Sequence, residues 1–179
     1  MKKLVCLAIL FAILLTCFTS CSGYNKTMRK YLENAENYHT YEVFLEDVYY
    51  IDPSTNEKKR DITDQDFLDN DIFLEISFFN SIEELRPFLG GTPNEDTPPE
   101  EYKFRFRVTK SNSNILASNG FYTDVSIGEK INVKVSDLIY MDSEFFYIAK
   151  LECGGKEYLN FEEGLKNIAD MVNKDKSLF

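Results

Sequence analysis

Few side chains in this 179-residue sequence are of the types that do chemistry, and their spacing narrows what they can do. His39 is the only histidine, so a Ser-His-Asp or Cys-His arrangement would have to be built on it, and no Gly-x-Ser-x-Gly turn accompanies it. It falls where a predicted helix meets a predicted strand and reads as a boundary residue. Zinc ligation needs several His and Cys side chains, and the HExxH, Walker and Gly-x-Gly-x-x-Gly patterns are all missing from the sequence. The densest acidic run is Asp64-Gln65-Asp66-Phe67-Leu68-Asp69-Asn70-Asp71. A calcium loop starting at Asp64 would use Asp66 and Glu75 as ligands, but Leu68 and Asp69 stand where a ligand and a glycine are required. The run reads as a helix cap and turn, and neither metal nor cofactor is predicted. Carboxylate pairs for glycoside hydrolysis depend on spatial separation, and nothing in the sequence selects one. Lys103, Arg105 and Arg107 are the sharper feature, because alternate spacing puts three cations on one side of one strand. They could receive a phosphate, an anionic glycan or an acidic partner; the competing reading is a solvated sheet face paired with acids such as Glu75. Phe73, Phe79, Tyr122 and Phe146 offer either a ligand platform or an apolar surface beneath helices. The second is preferred, since each flanking helix needs something apolar to cover.

The elements that must position these residues follow from periodicity. Met28, Tyr31, Leu32, Ala35 and Tyr38 recur at helical spacing, so residues 21–38 read as a tether and an amphipathic helix. From Tyr41 the period changes to two. Tyr41, Val43 and Leu45 share one face of a first strand, while Val48 and Tyr50 have the opposite parity, which a β-bulge near Glu46-Asp47 reconciles. Asp52 to Asn56 reads as a turn and Thr63 as the start of a single helical turn. Ile72, Leu74, Ile76 and Phe78 form the next inward face, and 81–85 is another helical turn stopped by Pro87. Residues 90–101 form a surface loop rather than a domain linker. Tyr102, Phe104, Phe106 and Val108 point inward against the basic stripe. Ser111 to Asn114 reads as a turn leading into a strand at 115–122; further strands are expected at 128–135 and 145–153. Gly154-Gly155 is a hairpin loop into Lys156–Leu159. Asn160 caps a helix over 161–173 with the stripe Phe161, Leu165, Ile168 and Val172, and 174–179 is a frayed tail. The class is mainly β (α+β). The domain at 39–160 is expected to be a six- to seven-stranded antiparallel structure with a helix at each end, either a partly open OB-like barrel or a sandwich.

The chain opens Met1-Lys2-Lys3, continues apolar from Leu4 to Phe18 apart from Thr16, and reaches small residues at Thr19-Ser20. Fifteen positions fall short of the ~20 that cross a bilayer as a helix. Phe18-Thr19-Ser20-Cys21 resembles the bacterial lipoprotein signal, with Phe18 and Thr19 departing from its usual residues. The resemblance implies a signal peptide at 1–20, lipid on Cys21, and attachment to an envelope membrane facing outside the cytoplasm. Gly155 to Gly164 resembles the ending of small lipoproteins of low-GC Gram-positive bacteria, a likeness that brings no activity. Removal of 1–20 takes Lys2 and Lys3 and no acid, leaving 18 basic and 30 acidic residues and a net charge of −12. Such a surface repels nucleic acid, so none is expected as a partner. Cys6 and Cys17 leave with the signal and Cys21 carries the lipid, so Cys153 is the one remaining thiol and no internal disulfide forms. The reading is a lipid-anchored extracytoplasmic β-domain, a non-catalytic binding or envelope-accessory module whose partner is an envelope protein or an anionic ligand. A carboxylate-dependent hydrolase is the alternative.

Overall fold

Alternating apolar and polar residues give each strand one face for a shared core, and caps set where the chain leaves the sheet. A computed structural model describes residues 27, 29–77, 103–136 and 146–174. Segment 1–20 with Cys21, the residues Phe78, Phe79 and Tyr102, the turn at 81–85, the loop at 90–101 and the tail from 175 onward lie outside the described residues.

Residues 29–33 are helical (α1) and lead through a tight helical turn at Ala35–Asn37 into strand β1, Tyr38–Ile51. There follow β2 (Lys58–Lys59), α2 (Asp64–Asp69), β3 (Ile72–Ser77) and β4 (Lys103–Val108). Two consecutive helices, α3 (Lys110–Ser118) and α4 (Phe121–Asp124), precede β5 (Lys130–Ser136). The chain ends with β6 (Phe146–Cys153), β7 (Lys156–Leu159) and α5 (Phe161–Lys174).

Hydrogen bonds run from β1 to β3, β4, β6, β5 and back to β1, so five strands form a ring; β2 extends β1 and β7 extends β6. The mainly β, α+β class is as expected from the sequence. The length of β1 makes the ring possible: Tyr38–Phe44 pair with β5, and Phe44–Tyr49 pair with β3. Its register shifts between Leu45 and Asp47, placing the bulge where the parity change put it.

Three expectations are corrected. The sheet is mixed, because β4 and β6 pair in parallel. Parallel neighbours need a long crossover, and α3, α4 and β5 supply it. Residues 115–122 are two helical stretches, 115–118 and 121–122, joined by a turn at 119–120, rather than extended. Thr109 caps α3 by accepting the Asn112 N–H at 3.4 Å, and Gly120, at φ 84°, ends it. The buried face of α3 is Asn112, Ser113 and Leu116, so two of its inward positions are polar and the apolar period does not show. The N-terminal helix is shorter than read. Asn34 interrupts it by accepting the Glu36 N–H, and Tyr38 belongs to β1, donating its hydroxyl to the Leu32 carbonyl at 2.8 Å.

The ring interior is filled by Val43, Leu45, Leu74, Ile76, Phe106, Ile131, Val133, Ile148 and Leu151. A second cluster lies outside it, where Leu32, Tyr38, Tyr147, Ala149, Ile168 and Val172 join α1 and α5 to the outer face of β6 and the start of β1. Gly164 allows that contact: a β-carbon there would sit 1.9 Å from the Ala149 carbonyl oxygen. Gly154 and Gly155, at φ 57° and 81°, form the tight hairpin expected between β6 and β7.

Candidate functional site

The basic stripe lies on the outer face of β4 but is not gathered into one site. Lys103 reaches Glu46 Oε2 at 3.2 Å, and Ser77 Oγ donates to Glu46 Oε1 at 2.5 Å. The Ser77 hydrogen bond, aided by Lys103, holds the Glu46 carboxyl below the usual carboxylate range against the opposing effect of burial. Arg107 donates Nε to Asp71 Oδ2 at 2.8 Å, with Nη2 bonded to the same oxygen, and Nη1 to the Tyr147 hydroxyl at 3.2 Å. Arg105 stands opposite Glu75, which also takes Lys58 at 3.0 Å. Carboxylates therefore take Lys103 and Arg107, and Arg107 is a half-buried structural pair rather than part of a wet face.

The aromatics are divided too. Phe73 stacks on Tyr49 outside the ring, Phe146 meets Phe106 edge-on inside it, and Tyr122 belongs to α4. The acidic run is spent locally. Asp66 closes a capping box with Thr63, which lowers its carboxyl, Asp69 accepts from Gln65 at 2.7 Å, and Asp71 holds Arg107 and the Lys110 N–H. Among the described residues no three His, Cys, Asp or Glu side chains converge as for a metal ion. His39 is exposed on β1 opposite Val135. Cys153 is buried and donates to the Lys130 carbonyl at 3.3 Å and toward Glu129 at 3.4 Å. Burial and the Glu129 carboxylate raise its pKa, so the thiol stays protonated and a poor nucleophile.

A concavity does form, at the end of the ring where β1 leaves and β3 and β5 enter. It has a volume of 330 Å³ and is lined by Leu45 and Val48 of β1, Ile62 and Phe67 at α2, Phe121 and Tyr122 of α4, and Val125 and Ile127 in the loop before β5. Each wall has a local cause. The β1 bulge breaks the ladder, so the Leu45 backbone bonds instead to the loop: its N–H donates to Glu129 O at 3.0 Å, and its carbonyl accepts from Gly128 N at 2.7 Å. Gly128, at φ 89°, makes the turn that brings Ile127 to the rim. Phe67 stacks on Tyr122 with centroids 4.4 Å apart, and Phe121 meets Tyr122 edge-on at 5.1 Å. The Tyr122 hydroxyl shares a hydrogen bond with buried Ser113, and burial raises the phenol well above its ordinary value.

One polar pair marks the rim. Arg60 forks onto Asp47, with Nε at 3.1 and 3.0 Å from the two oxygens and Nη2 at 2.8 Å. Among the described residues, Ile127 and Leu68, which follows Phe67 in α2, are the large apolar side chains left most exposed, at 57% and 56%. Arg60, Ile62, Val125 and Ile127 carry no sequence signal as a group; only the parity change in β1 pointed to this part of the strand. The groove can bury apolar side chains and present one fixed, neutralised ion pair. Comparison with known proteins finds no matching family model, no matching curated protein and no matching solved structure.

Proposed function

We propose that the chain is a lipid-anchored, non-catalytic binding module of a bacterial envelope, held through Cys21 on the extracytoplasmic side, whose groove takes apolar side chains of an envelope protein. The anchor rests on the sequence of residues 1–21. The binding role rests on one observation, the 330 Å³ groove lined largely by apolar side chains, with Ile127 exposed at its rim. A pocket of this volume is at the small end for a free ligand, whereas apolar surface continuing beyond the cavity suits a protein partner that covers both.

A carboxylate-dependent hydrolase needs a carboxyl with a raised pKa to act as an acid. Glu46, Asp52, Asp66 and Asp124 shift the other way, each held ionised first by a side-chain hydrogen bond. This favours the binding reading.

A photo-crosslinking residue placed at Ile127 in the full chain, in intact cells, is expected to capture a discrete protein, and Val125→Asp should abolish that capture. A crosslinking pattern like that from Glu162, exposed on α5, would refute the groove as the binding surface.

A further inference from the structure

The first turn of α3 and the last turns of α5 face one another across a second hollow, lined by charged and polar residue types and with a volume of 510 Å³. Lys110 and Ser111 form one wall, Asp170 and Lys174 the other, and Arg107 lies below, fixed by Asp71 and Tyr147. The gap between the helices is set from beneath. Asn112 is fully buried, donates Nδ2 to the carbonyls of Ile148 and Gly164 at 3.2 Å each, and accepts from Asn167 Nδ2 at 2.9 Å.

Two lysines without an ion pair, Lys110 and Lys174, line this one hollow, whereas Lys30, Lys134 and Lys166, which also make none among the described residues, do not line it. Lys58, Lys103, Lys130, Lys150 and Lys156 all reach carboxylates, as expected where 30 acids face 20 bases. Lys110 and Lys174 make no such ion pair among the described residues, although acids are in excess. Asp71, which also lines the hollow, already accepts from Arg107 and from the Lys110 backbone N–H.

We infer that the hollow binds the phosphate group of a small phosphate ester. Lys110 and Lys174 supply ammonium donors from opposite walls and Ser111 a hydroxyl, which suits a tetrahedral oxyanion held between them. Asp170 shares the wall of Lys174 and accepts a hydrogen bond from a hydroxyl or ammonium on the esterified alcohol. The site therefore prefers a glycerol or ethanolamine phosphate to inorganic phosphate. Asn173 donates to Glu33 at 2.9 Å, so this end of α5 adjoins α1. The phosphate has two sources of one chemistry, a soluble ester or a lipid headgroup.

The test is amide NMR of the full chain in uncharged detergent micelles at low ionic strength, where exposed charges act most strongly. The probes are inorganic phosphate, phosphoethanolamine and glycerol phosphate. Saturable shifts are expected at 107–112 and 166–174 for all three. Lys110→Gln and Lys174→Gln should each weaken binding about fivefold, with an unchanged urea midpoint because both side chains are exposed. Asp170→Asn should tighten inorganic phosphate and weaken phosphoethanolamine, a reversal that a merely structural role would not produce. Val125→Asp, in the apolar groove, should leave these affinities alone. Micelles doped with phosphatidylglycerol separate the sources: the same shifts identify a headgroup, and shifts only with soluble esters identify a free ligand. No saturable shift at millimolar probe, or affinities unmoved by both lysine substitutions, overturns the site.

Discussion

At Gly164 a β-carbon would fall 1.9 Å from the Ala149 carbonyl oxygen and 2.7 Å from its carbon, so α5 and β6 touch backbone to backbone. The helix side of this contact is held because the Gly164 carbonyl accepts from Asn112, while Ala149 lies in β6 where its register with β5 shifts. Gly164→Ala should therefore destabilise the fold by about 3 kcal/mol despite its better helix propensity, read as a lower urea midpoint at unchanged slope. A loss below about 0.5 kcal/mol would mean that α5 slides along the sheet. The apolar stripe Phe161, Leu165, Ile168 and Val172 and the Asn160 cap were legible in the sequence, and Glu163 N–H bonds to Asn160 Oδ1 at 3.0 Å. What Gly164 meets was not, because a glycine within a helical pattern signals a close approach without naming the neighbour. Arg107 gives the same lesson. Alternation assigned its side of the strand, but its partner Asp71 lies 36 residues away and is set by the β3–β4 register.

Among the elements, β1 was the most legible and α3 the least. The β1 bulge changes side-chain parity, which the sequence records directly; α3 hides its period behind Asn112 and Ser113, the first satisfied by the carbonyls of Ile148 and Gly164 and by Asn167, the second by the Tyr122 hydroxyl. The docking of α1 and α5 onto β6 carries a pH signature. Tyr38 and Tyr147 stand in that cluster, and burial raises both phenols above their ordinary value of 10.0. The folded state keeps these protons after the unfolded chain has lost them. Their contribution is thus complete below about pH 10 and is lost as pH rises further. The urea midpoint should fall steeply above that pH. Tyr38→Phe should lower the unfolding free energy by about 1 kcal/mol at neutral pH, through loss of the bond to Leu32 O, and make the alkaline decline shallower. An equally steep decline in Tyr38→Phe would place the titration elsewhere. At the acid end the sign reverses. Glu46, Asp66 and Asp124 have lowered carboxyls, so their contribution is present above about pH 4 and is lost as pH falls below it.

For the whole molecule, the class follows from local patterns, whereas the order β1-β3-β4-β6-β5 depends on pairings between distant segments that no local pattern encodes. The ring also bears on the anchor. It closes through backbone hydrogen bonds around an aromatic and aliphatic core, and Cys153 is a free buried thiol, so nothing described depends on a disulfide. Anchoring and folding should then separate cleanly. In a bacterium that processes lipoproteins, the wild-type chain is expected in the membrane fraction with diacylated Cys21 at its N-terminus, since two acyl chains hold where one is marginal. Cys21→Ser should release it from membranes, with an unfolding midpoint equal to that of the wild type and indifferent to reductant. Capture from Ile127 should drop in the released form even with the groove intact, because tethering confines domain and partner to one surface and raises their effective concentration. Cys21→Ser protein that still sediments with membranes would disprove the lipid anchor. Released protein that captures its partner undiminished would show that the groove needs no tether, and that the lipid serves only to retain the chain at the cell.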